Sequence, residues 1–542
     1  MGKYIIDVQV GAELRIPKAK TEKQDDQWYQ HFLQQLRVAL TKDDPRYYAA
    51  ISKGRRPPAG VRRTISLYST RGKYFFVPSG MFDVLKKVAV DLGYELKWKA
   101  ATRENKGQPM DFGDMGVTLR DYQLDAIGKM FARKRGIMVA GCGAGKTSTA
   151  TAFALNSGQA TLVLTHSMDL LTQWVECFSW ISQETKPVRI IGGTGKKDLS
   201  ALKPGEICVA TIQTLSRDIK KYKEVITSAG ACIIDEAHHA VSPTWRKVIE
   251  KIPARYRIGL TATPQRADGL GFMLDAVVGR PIFRITSMEL VEMGHLRRPT
   301  VVPVQTGYGI DRDRHSFHNV KCNRCSRVRK KLSWEKIEEG MQRCTKCKSR
   351  LTKYDSRESA GLNFSRLETD LMSDRHRLQE ICDLAMRGAM AGRKVCVLIS
   401  RNESCEKLVD MLNLMGIKSA ALTGKIKKKD RERILNGMRF GSTQVIVSAN
   451  LLNEGTDVAN LDLLILASAG KFGGLAAQRI GRLSRQAGAD TPIMLDLVDT
   501  GAVFERQFKS RAAAYTEAYG NIIQRKVSMD GARRGLDKLR EK

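Results

Sequence analysis

The sequence predicts an α/β chain with two tandem parallel-sheet domains, an N-terminal α+β domain and a small cysteine-rich insertion. Two series of short apolar strands predict the two sheets, because continuous apolar strands between helical stretches are typical of sheets that helices cover on both faces. The length of 542 residues exceeds what one hydrophobic core supports, so several domains are expected. The 42% share of hydrophobic residues is ordinary for globular proteins and excludes a largely disordered chain.

The charge balance indicates a polyanionic partner. Lys and Arg number 91 against 57 Asp and Glu, which leaves a formal net charge of +34. Such an excess repels itself, and nucleic acid relieves the repulsion. An anionic membrane would relieve it as well, but no apolar run is long enough to span a bilayer, so no membrane partner is expected.

The first region, residues 1–116, carries no nucleotide motif and predicts an α+β domain that binds nucleic acid. Helical apolar spacing covers residues 26–40 and 81–96, and residues 64–80 predict a hairpin whose turn includes Gly72. The region is basic, with 21 Lys and Arg against 13 Asp and Glu.

The remaining boundaries follow from the apolar strands and from composition. We expect a first α/β domain at 117–300 and a second at 362–515, each built from one series of strands. The linker at 301–361 is basic and holds the cysteine-rich insertion. The basic C-terminal tail, 516–542, is expected to be loosely ordered.

Cysteine usage indicates a reducing compartment. Of the 11 cysteines, seven are scattered, and several of these lie inside apolar runs as small buried side chains. The N-terminus begins with an alternating strand pattern and lacks the apolar region of a signal peptide. We therefore expect a cytoplasmic protein, of a bacterium or a phage-infected host cell.

A glycine-rich turn between a strand and a helix predicts a site for ATP. Backbone N–H groups of such a turn and the helix N-terminus bind phosphates, the lysine reaches the β and γ phosphates, and the threonine hydroxyl holds Mg²⁺. Ala140 replaces the first glycine of the general pattern. The nucleotide-binding residues that this motif predicts are Gly141, Gly143, Ala144, Gly145, Lys146 and Thr147.

An acidic pair follows another apolar strand, 89 residues after Lys146. Asp235 at the strand's end is placed to bind Mg²⁺, and Glu236 is placed to polarise the attacking water as general base. Acidic pairs at strand ends also occur by chance, but here the pair accompanies a phosphate-binding turn at a suitable separation.

These motifs resemble those of superfamily 2 helicases, and the remaining motifs of that family follow in order over about 117–500. His238 completes the Asp-Glu-Ala-His motif, and the resemblance implies that Gln123 reads the adenine. Motifs similar to the strand-contacting motifs of the first domain are Thr165-His166-Ser167, Gln173-Trp174 and Thr211-Ile212-Gln213-Thr214. Thr261-Ala262-Thr263-Pro264 resembles the motif that couples hydrolysis to movement.

The second domain carries its own motifs of the family. Ser400-Arg401 and Thr423-Gly424 resemble a backbone-gripping motif, and Asn453 through Asp457 resembles the fifth motif. The resemblance implies nucleotide contacts for Gly455 and Asp457. Gln478 begins a Q-x-x-G-R-x-x-R motif, whose resemblance implies catalytic roles for Gln478, Arg482 and Arg485.

Physical chemistry supports the two arginines independently of the family. Phosphoryl transfer builds charge that a guanidinium from a second domain stabilises, and arginines three residues apart on a helix share one face. A solvated basic face is the alternative for Arg482 and Arg485 taken alone.

The resemblance extends to the XPB/UvsW-like branch, on the LRDYQ and TATPQRADG segments. It implies two RecA-like domains with ATP between them, and an ATP-dependent helicase that moves 3′ to 5′ on DNA, often on forks and branched junctions. Single-stranded and branched DNA are therefore the expected partners. RNA helicases with this acidic motif usually have Ser-Ala-Thr as third motif, whereas this chain has Thr-Ala-Thr.

Three alternatives stay open at this point. The chain could translocate on duplex DNA without separating it, act as an RNA helicase, or bind and anneal nucleic acid with a vestigial ATPase. The intact Lys146, Asp235, Glu236 and Arg482 favour an active enzyme over the last alternative.

Four cysteines in the linker predict a structural zinc site. Two C-x-x-C pairs, separated by 18 residues, match a zinc ribbon with four thiolate ligands and no open position. The XPB-like branch does not generally carry this insertion. Basic residues around the ribbon could grip phosphates or form a solvated face, and the ribbon or the N-terminal domain could bind a protein partner. The predicted ligands are Cys322, Cys325, Cys344 and Cys347.

Overall fold

The computed structural model divides the chain into two compact units, Met1–Leu290 and Val291–Lys542. The structure describes residues 5–18, 27–52, 54–185, 187–193, 198–262, 269–311, 314–322, 324–325, 328–332, 343–344, 346–349, 351–354, 362–424, 426–449, 461–467, 480–481, 483–484 and 491–541.

The N-terminal part of the first unit is the predicted α+β region. Its five-stranded sheet has the order β5-β6-β2-β1-β7, in which β1 and β7 are parallel and the other pairs antiparallel. The sheet strands are β1 (Ile5–Val10), β2 (Glu13–Pro17), β5 (Ser69–Arg71), β6 (Tyr74–Pro78) and β7 (Glu95–Ala100). A separate two-stranded ladder contains β3 (Thr41–Asp43) and β4 (Thr64–Ser66). The helices are α1 (Gln27–Ala39), α2 (Pro45–Ile51) and α3 (Phe82–Asp91).

The apolar periodicities explain these elements. The buried Tyr29, Phe32 and Leu36 face the sheet from one side of α1, where the sequence predicts a helix. The predicted hairpin is confirmed as β5–β6, with Gly72 at φ 52° in its turn, a conformation that glycine adopts without strain. Residues Thr64–Ser66 lie outside that hairpin and pair with β3 instead.

A seven-stranded sheet forms the rest of the first unit. All neighbouring strands are parallel, in the order β10-β11-β9-β12-β13-β8-β14. The strands are β8 (Arg135–Ala140), β9 (Thr161–Thr165), β10 (Val188–Ile191), β11 (Ile207–Thr211), β12 (Ala231–Ile234), β13 (Tyr256–Thr261) and β14 (Pro281–Ile285). The helices are α4 (Asp121–Arg133), α5 (Lys146–Ser157), α6 (Met168–Ile181), α7 (Ile212–Arg217), α8 (Lys223–Ser228), α9 (Pro243–Ile249) and α10 (Gly271–Val277), and α11 (Ser287–Glu292) spans the boundary between the units.

The second unit contains a second seven-stranded parallel sheet. Its order is β20-β21-β19-β22-β23-β15-β24. The strands are β15 (Thr300–Gly309), β19 (Val395–Leu398), β20 (Ser419–Leu422), β21 (Val445–Ser448), β22 (Leu463–Leu466), β23 (Ile493–Thr500) and β24 (Val527–Ser528). The helices are α12 (Phe364–Ser373), α13 (Arg375–Met390), α14 (Asn402–Leu414), α15 (Lys428–Phe440), α16 (Ala502–Tyr519) and α17 (Met529–Arg540). The two predicted parallel-sheet α/β domains are confirmed.

Two boundary expectations were wrong. Residues 301–309 were expected in the linker, but they belong to β15 beside β23, because alternating apolar residues there satisfy an open position of the sheet. The C-terminal tail was expected to be loosely ordered, but it forms β24 and α17. Helix α17 buries Met529, Ala532 and Leu536. The many basic residues of this segment made its apolar stripe difficult to recognise from the sequence.

A small three-stranded sheet carries the cysteine-rich insertion. Its order is β17-β16-β18, with antiparallel pairing. The strands are β16 (His318–Cys322), β17 (Val328–Leu332) and β18 (Leu351–Tyr354). Across the described residues, no helix combines the length and apolar character needed to cross a bilayer.

Candidate nucleotide and metal sites

The motif residues of the first unit gather at the carboxyl edge of its sheet. The phosphate-binding turn follows β8, the acidic pair follows β12, and Thr261 ends β13, which lies between those two strands. Parallel strands end on the same edge, so their topology brings these distant segments together.

The glycine-rich turn has the backbone that phosphate binding requires. Gly143 and Gly145 have φ values of 83° and 70°, in the left-handed region that favours glycine. A Cβ atom on Gly145 would lie 2.6 Å from Nε2 of Gln123, so a larger residue cannot replace it without displacing Gln123. Ala144 is fully buried, and its backbone N–H donates to the carbonyl of Gly141.

Lys146 and Thr147 begin helix α5, where unsatisfied backbone N–H groups and the helix dipole favour an anion. The Nζ atom of Lys146 donates to the carbonyls of Ala140 at 3.0 Å and Gly141 at 3.3 Å. The ammonium group therefore lies against the turn, and within the part of the chain that the structure describes it forms no ion pair with a carboxylate.

Gln123 joins the turn from the preceding helix. Its Oε1 accepts from the backbone N–H of Arg120 at 2.9 Å, and its Nε2 lies 3.5 Å from the carbonyl of Gly145. The hydroxyl of Tyr122 donates to the carbonyl of Ala144 at 3.0 Å. The sequence predicts that Gln123 contacts the adenine, but it did not predict a contact between Tyr122 and the turn. The position of Tyr122 beside Gln123 in the same motif could have indicated that contact.

Asp235 is a buried carboxylate with unusual electrostatics. Burial, and then the neighbouring carboxylate of Glu236, raise the pKa of Asp235 to about 6. Trp174 opposes this shift, because its indole Nε1 donates to Oδ2 of Asp235 at 2.8 Å. The sequence placed Trp174 in a strand-contacting motif and did not reveal this bond, which depends on α6 packing against β9 and β11.

Glu236 and His238 lie directly after Asp235. Glu236 has a φ of 43°, a costly conformation for a non-glycine residue and one that occurs preferentially at functional sites. Its Oε2 is buried without a hydrogen-bond partner and lies 3.3 Å from Nδ1 of His238. Two adjacent carboxylates, one buried and the other half-buried, suit a hard cation such as Mg²⁺, which oxygen ligands bind.

The strand-contacting segments also meet at this edge. The Nε2 atom of Gln213 donates to the carbonyl of His166 at 2.8 Å, which joins two of the predicted motifs. The side chain of Ser167 caps α6 by accepting from the backbone N–H of Leu170. These contacts hold the loops after β9 and β11 together.

The second unit shows only part of its predicted site. Arg401 precedes α14, and its Nη2 donates to Oγ1 of Thr369 at 3.1 Å. Thr423 is buried after β20. Five predicted nucleotide-site residues lie outside the described residues, namely Gly455, Asp457, Gln478, Arg482 and Arg485, and so do Thr263 and Pro264 of the first unit.

The four predicted zinc ligands converge. The sulfur atoms of Cys322, Cys325, Cys344 and Cys347 all lie within 4.8 Å of one another. Cys322 and Cys347 are 3.3 Å apart at sulfur, and Cys325 and Cys344 are 3.5 Å apart. A tetrahedral zinc with Zn–S bonds of about 2.3 Å requires sulfur separations of about 3.8 Å, so the arrangement fits this ion.

The electrostatics of the cluster favour thiolates. Backbone N–H groups of Cys347 and Lys346 lower the pKa of Cys344, and those of Ser349, followed by its hydroxyl, lower the pKa of Cys347 to about 6. Burial instead raises the pKa of Cys208 and of Cys232 to about 12. Cys344 and Cys347 therefore favour the thiolate form that binds metals, whereas Cys208 and Cys232 favour the neutral thiol of a core residue.

Two family models match the chain. The model described as the Type III restriction enzyme res subunit matches residues 116–266, and the model described as the helicase conserved C-terminal domain matches residues 376–487. These ranges contain the phosphate-binding turn and the acidic pair in the first unit and the predicted arginines in the second.

Curated relatives carry helicase and translocase names. A protein named DNA 3′-5′ translocase XPB2, from Sulfurisphaera tokodaii, is 26% identical over 73% of this chain and 84% of its own length. A probable helicase, D10 of Escherichia phage T5, is 25% identical over 69% of this chain and 70% of its own length.

Solved structures share the fold at low sequence identity. Saccharomyces cerevisiae Dbp5, bound to RNA and ADP BeF3, has a TM-score of 0.51 at 13% identity, over 77% of this chain and 93% of Dbp5. The restriction-modification enzyme LlaBIII, bound to DNA, has a TM-score of 0.53 at 15% identity, over 78% of this chain and 33% of LlaBIII. The tandem RecA-like architecture expected from the motifs is confirmed.

Proposed function

Because the chain is an ATP-dependent superfamily 2 helicase of the XPB-like type, we propose that it moves 3′ to 5′ along DNA and acts on forked or branched substrates. The observation that carries the proposal is the convergence of the phosphate-binding turn, the acidic pair and Thr261 on one sheet edge. The 3′-5′ translocase name of the Sulfurisphaera relative supports the direction.

The first unit supplies the residues that bind and hydrolyse ATP. Lys146 is released from its backbone carbonyls to meet the β and γ phosphates, because a phosphate anion attracts the ammonium more strongly than a carbonyl does. Backbone N–H groups of Gly143 and Gly145 would bind the phosphates, whereas those of Gly141 and Ala144 already donate to the carbonyls of Ile285 and Gly141. Gln123 would contact the adenine. Thr147 and Asp235 would hold Mg²⁺, which neutralises phosphate charge as it develops.

Glu236 acts as the general base in this proposal. Its Oε2 accepts no hydrogen bond in the structure, so it can accept a proton from a water molecule in front of the γ phosphate. His238 contacts the same carboxylate oxygen and holds its orientation.

Charge stabilisation during hydrolysis is expected from motif residues that follow residue 450. The family resemblance assigns nucleotide contacts to Gly455 and Asp457 and catalytic roles to Gln478, Arg482 and Arg485. A guanidinium at the γ phosphate typically raises turnover by about 10³-fold or more.

The four-cysteine cluster would hold one structural zinc ion. The sequence of the insertion contains few large apolar side chains, so metal binding would supply much of its folding free energy. The reduced state of these thiols requires a reducing compartment, and we accordingly place the protein in the cytoplasm.

A second candidate substrate is RNA. A relative from Acanthamoeba polyphaga mimivirus, 24% identical over 85% of this chain, is named a putative ATP-dependent RNA helicase. The backbone contacts of such motors tolerate both polymers, so the substrate must be measured.

A strand-displacement panel tests the proposal. The wild-type chain is given ATP, Mg²⁺ and labelled forks, Holliday junctions, 3′-tailed DNA, 5′-tailed DNA and RNA duplexes, with ATP hydrolysis measured in parallel. We expect DNA to stimulate hydrolysis and 3′-tailed and forked DNA to be separated fastest.

The Lys146→Ala variant serves as the matched control. It should still bind DNA but lose hydrolysis and displacement. Preference for RNA duplexes or for 5′ tails would contradict the substrate or the direction, and hydrolysis at the wild-type rate in Lys146→Ala would contradict the ATP site.

A further inference from the structure

A large cavity lies in the first unit at the sheet edge opposite the ATP site. Its volume is about 750 Å³, within the range of sites for organic ligands. Its floor is formed where β8, β13 and β14 begin, and its wall by β1, β2 and β7 of the N-terminal sheet. We call it the basal cavity. Because β8 has six residues, the cavity lies roughly 17 Å from the phosphate-binding turn.

The basal cavity is electropositive. Its lining includes five cationic side chains and two carboxylates, Asp83 and Glu104. Glu104 forms an ion pair with Arg255, which leaves four cations against one carboxylate. These four are Arg133, Lys134, Arg135 and Arg280.

Among the residues that the structure describes, no carboxylate pairs with Arg135 at the cavity. Its Nη2 donates to the carbonyls of Gly11 at 2.9 Å and Ala254 at 3.1 Å, while its Nη1 is buried and has no hydrogen-bond partner. Burial and the adjacent Arg257 lower the pKa of Arg135 to about 9, so it stays charged at neutral pH. Arg135 therefore contributes an uncompensated positive charge to the cavity wall, although its Nη1 atom lies below the accessible surface.

An aromatic pair stands on the same cavity wall. The rings of Phe82 and Trp98 are stacked, with centroids 4.3 Å apart and an angle of 23° between their planes. Both rings remain more than a third exposed, at 38% and 36%. An exposed aromatic face beside clustered cations is the combination that binds unpaired bases and their phosphates.

From these observations we propose that the basal cavity binds a short segment of single-stranded nucleic acid. One base stacks on the Phe82–Trp98 pair, and the adjoining phosphates contact Arg133 and Arg280 at the cavity mouth. Arg135 attracts them through its charge, without a direct contact. The choice of a nucleic-acid strand over another aromatic anion rests on the proposed function. The site is distinct from the motor's strand-contacting motifs, because those lie at the opposite edge of the sheet.

Trp98 fluorescence gives a local reading of occupancy. Titration of the full chain with a thymidine hexanucleotide, without ATP, should quench part of the tryptophan emission. Trp98→Phe should lose this quenching but retain binding by anisotropy, since the stacking platform remains. Trp98→Ala should weaken binding by roughly 5- to 100-fold. Trp180→Phe is the matched control, because Trp180 is 57% exposed outside the cavity, and should keep the quenching.

Neutralisation of the cavity mouth tests the phosphate contacts. The Arg133→Gln, Arg280→Gln double variant should bind the hexanucleotide more weakly, with a salt slope shallower by about 1.4, because each lost contact on a single strand removes about 0.7. The control double variant, Arg55→Gln and Arg56→Gln, removes the same charge from exposed positions outside the cavity. An equal loss in the control would overturn the proposal.

Two further ligands test whether the cavity binds a single strand, a free nucleotide or a duplex. Thymidine monophosphate and a hairpin duplex should each quench Trp98 at much higher concentration than the hexanucleotide. If thymidine monophosphate bound as tightly as the hexanucleotide, the cavity would be a site for free nucleotides. If the duplex bound as tightly as the hexanucleotide, the cavity would attract any polyanion through its charge alone. Either result overturns the strand proposal.

The wild-type measurements also separate this inference from the proposed function. If DNA stimulated ATP hydrolysis but the hexanucleotide did not quench Trp98 fluorescence, only the basal-cavity proposal would be contradicted. If the hexanucleotide quenched Trp98 fluorescence but the chain hydrolysed no ATP, only the proposed helicase function would be contradicted.

Discussion

The Nδ1 atom of His238 lies 3.3 Å from the hydroxyl oxygen of Thr261. His238 follows the acidic pair after β12, and Thr261 is the fully buried last residue of β13. This contact joins the segment that meets the γ phosphate to the segment whose motif resembles the coupling motif of the family. It offers a direct route by which a change at Glu236 reaches Thr261.

Removal of the Thr261 hydroxyl should uncouple hydrolysis from movement. Thr261→Val keeps the side-chain volume but removes the contact to His238, so ATP hydrolysis should stay within about threefold of the wild-type rate while strand displacement falls by about tenfold or more. The ratio of base pairs separated to ATP hydrolysed measures this effect. Thr261→Ser restores the hydroxyl and should restore the ratio. Equal losses of both activities in Thr261→Val would show that the contact serves catalysis and not coupling.

Loss of the Trp174 indole N–H should weaken Mg²⁺ binding. Trp174→Phe removes the 2.8 Å donor that lowers the pKa of Asp235, so more of this carboxyl is protonated at neutral pH and Mg²⁺ must displace the proton. The Mg²⁺ concentration that half-saturates ATP hydrolysis should therefore rise. Trp245→Phe makes the same chemical change at another buried indole, and should leave the Mg²⁺ requirement unchanged. An unchanged requirement in Trp174→Phe would separate Asp235 from the metal.

Glu236→Gln should bind ATP but hydrolyse it very slowly. The amide keeps the shape of the side chain but cannot accept the proton of the attacking water, so turnover should fall by about 10²-fold or more. Equilibrium binding of a labelled ATP and single-turnover hydrolysis measure the two properties separately. Loss of ATP binding at an unchanged melting temperature would give Glu236 a binding role instead.

One zinc ion per chain should be found by metal analysis of the purified protein. Cys344→Ser removes one of four ligands and should lose the metal, with local unfolding of the small three-stranded sheet detectable by limited proteolysis. Cys177→Ser, which changes a half-buried thiol outside the ribbon, is the matched control and should retain one equivalent. Retention of zinc by Cys344→Ser would remove this residue from the ligand set.

Local patterns in the sequence determined the motifs and most of the elements around them. Short-range spacing was sufficient to predict the phosphate-binding turn, the paired cysteines and the apolar strands, because each of these features depends on residues that are close together in the sequence. The same reasoning failed for β15 and α17, because membership of a sheet and burial of one helix face depend on partners far along the chain.

Tertiary structure alone decided which distant groups meet. The sequence named Trp174, His238 and Thr261 as motif members, but only the packing of α6 and the order β12-β13-β8 bring an indole to Asp235 and a hydroxyl to His238. The basal cavity has no sequence signature, because its four unpaired cations lie at the starts of β8 and β14 and its aromatic pair comes from α3 and β7 of the N-terminal region. Spacing along a chain encodes local conformation, whereas contacts between elements depend on how their apolar faces pack, and that packing sets the chemistry of both sites.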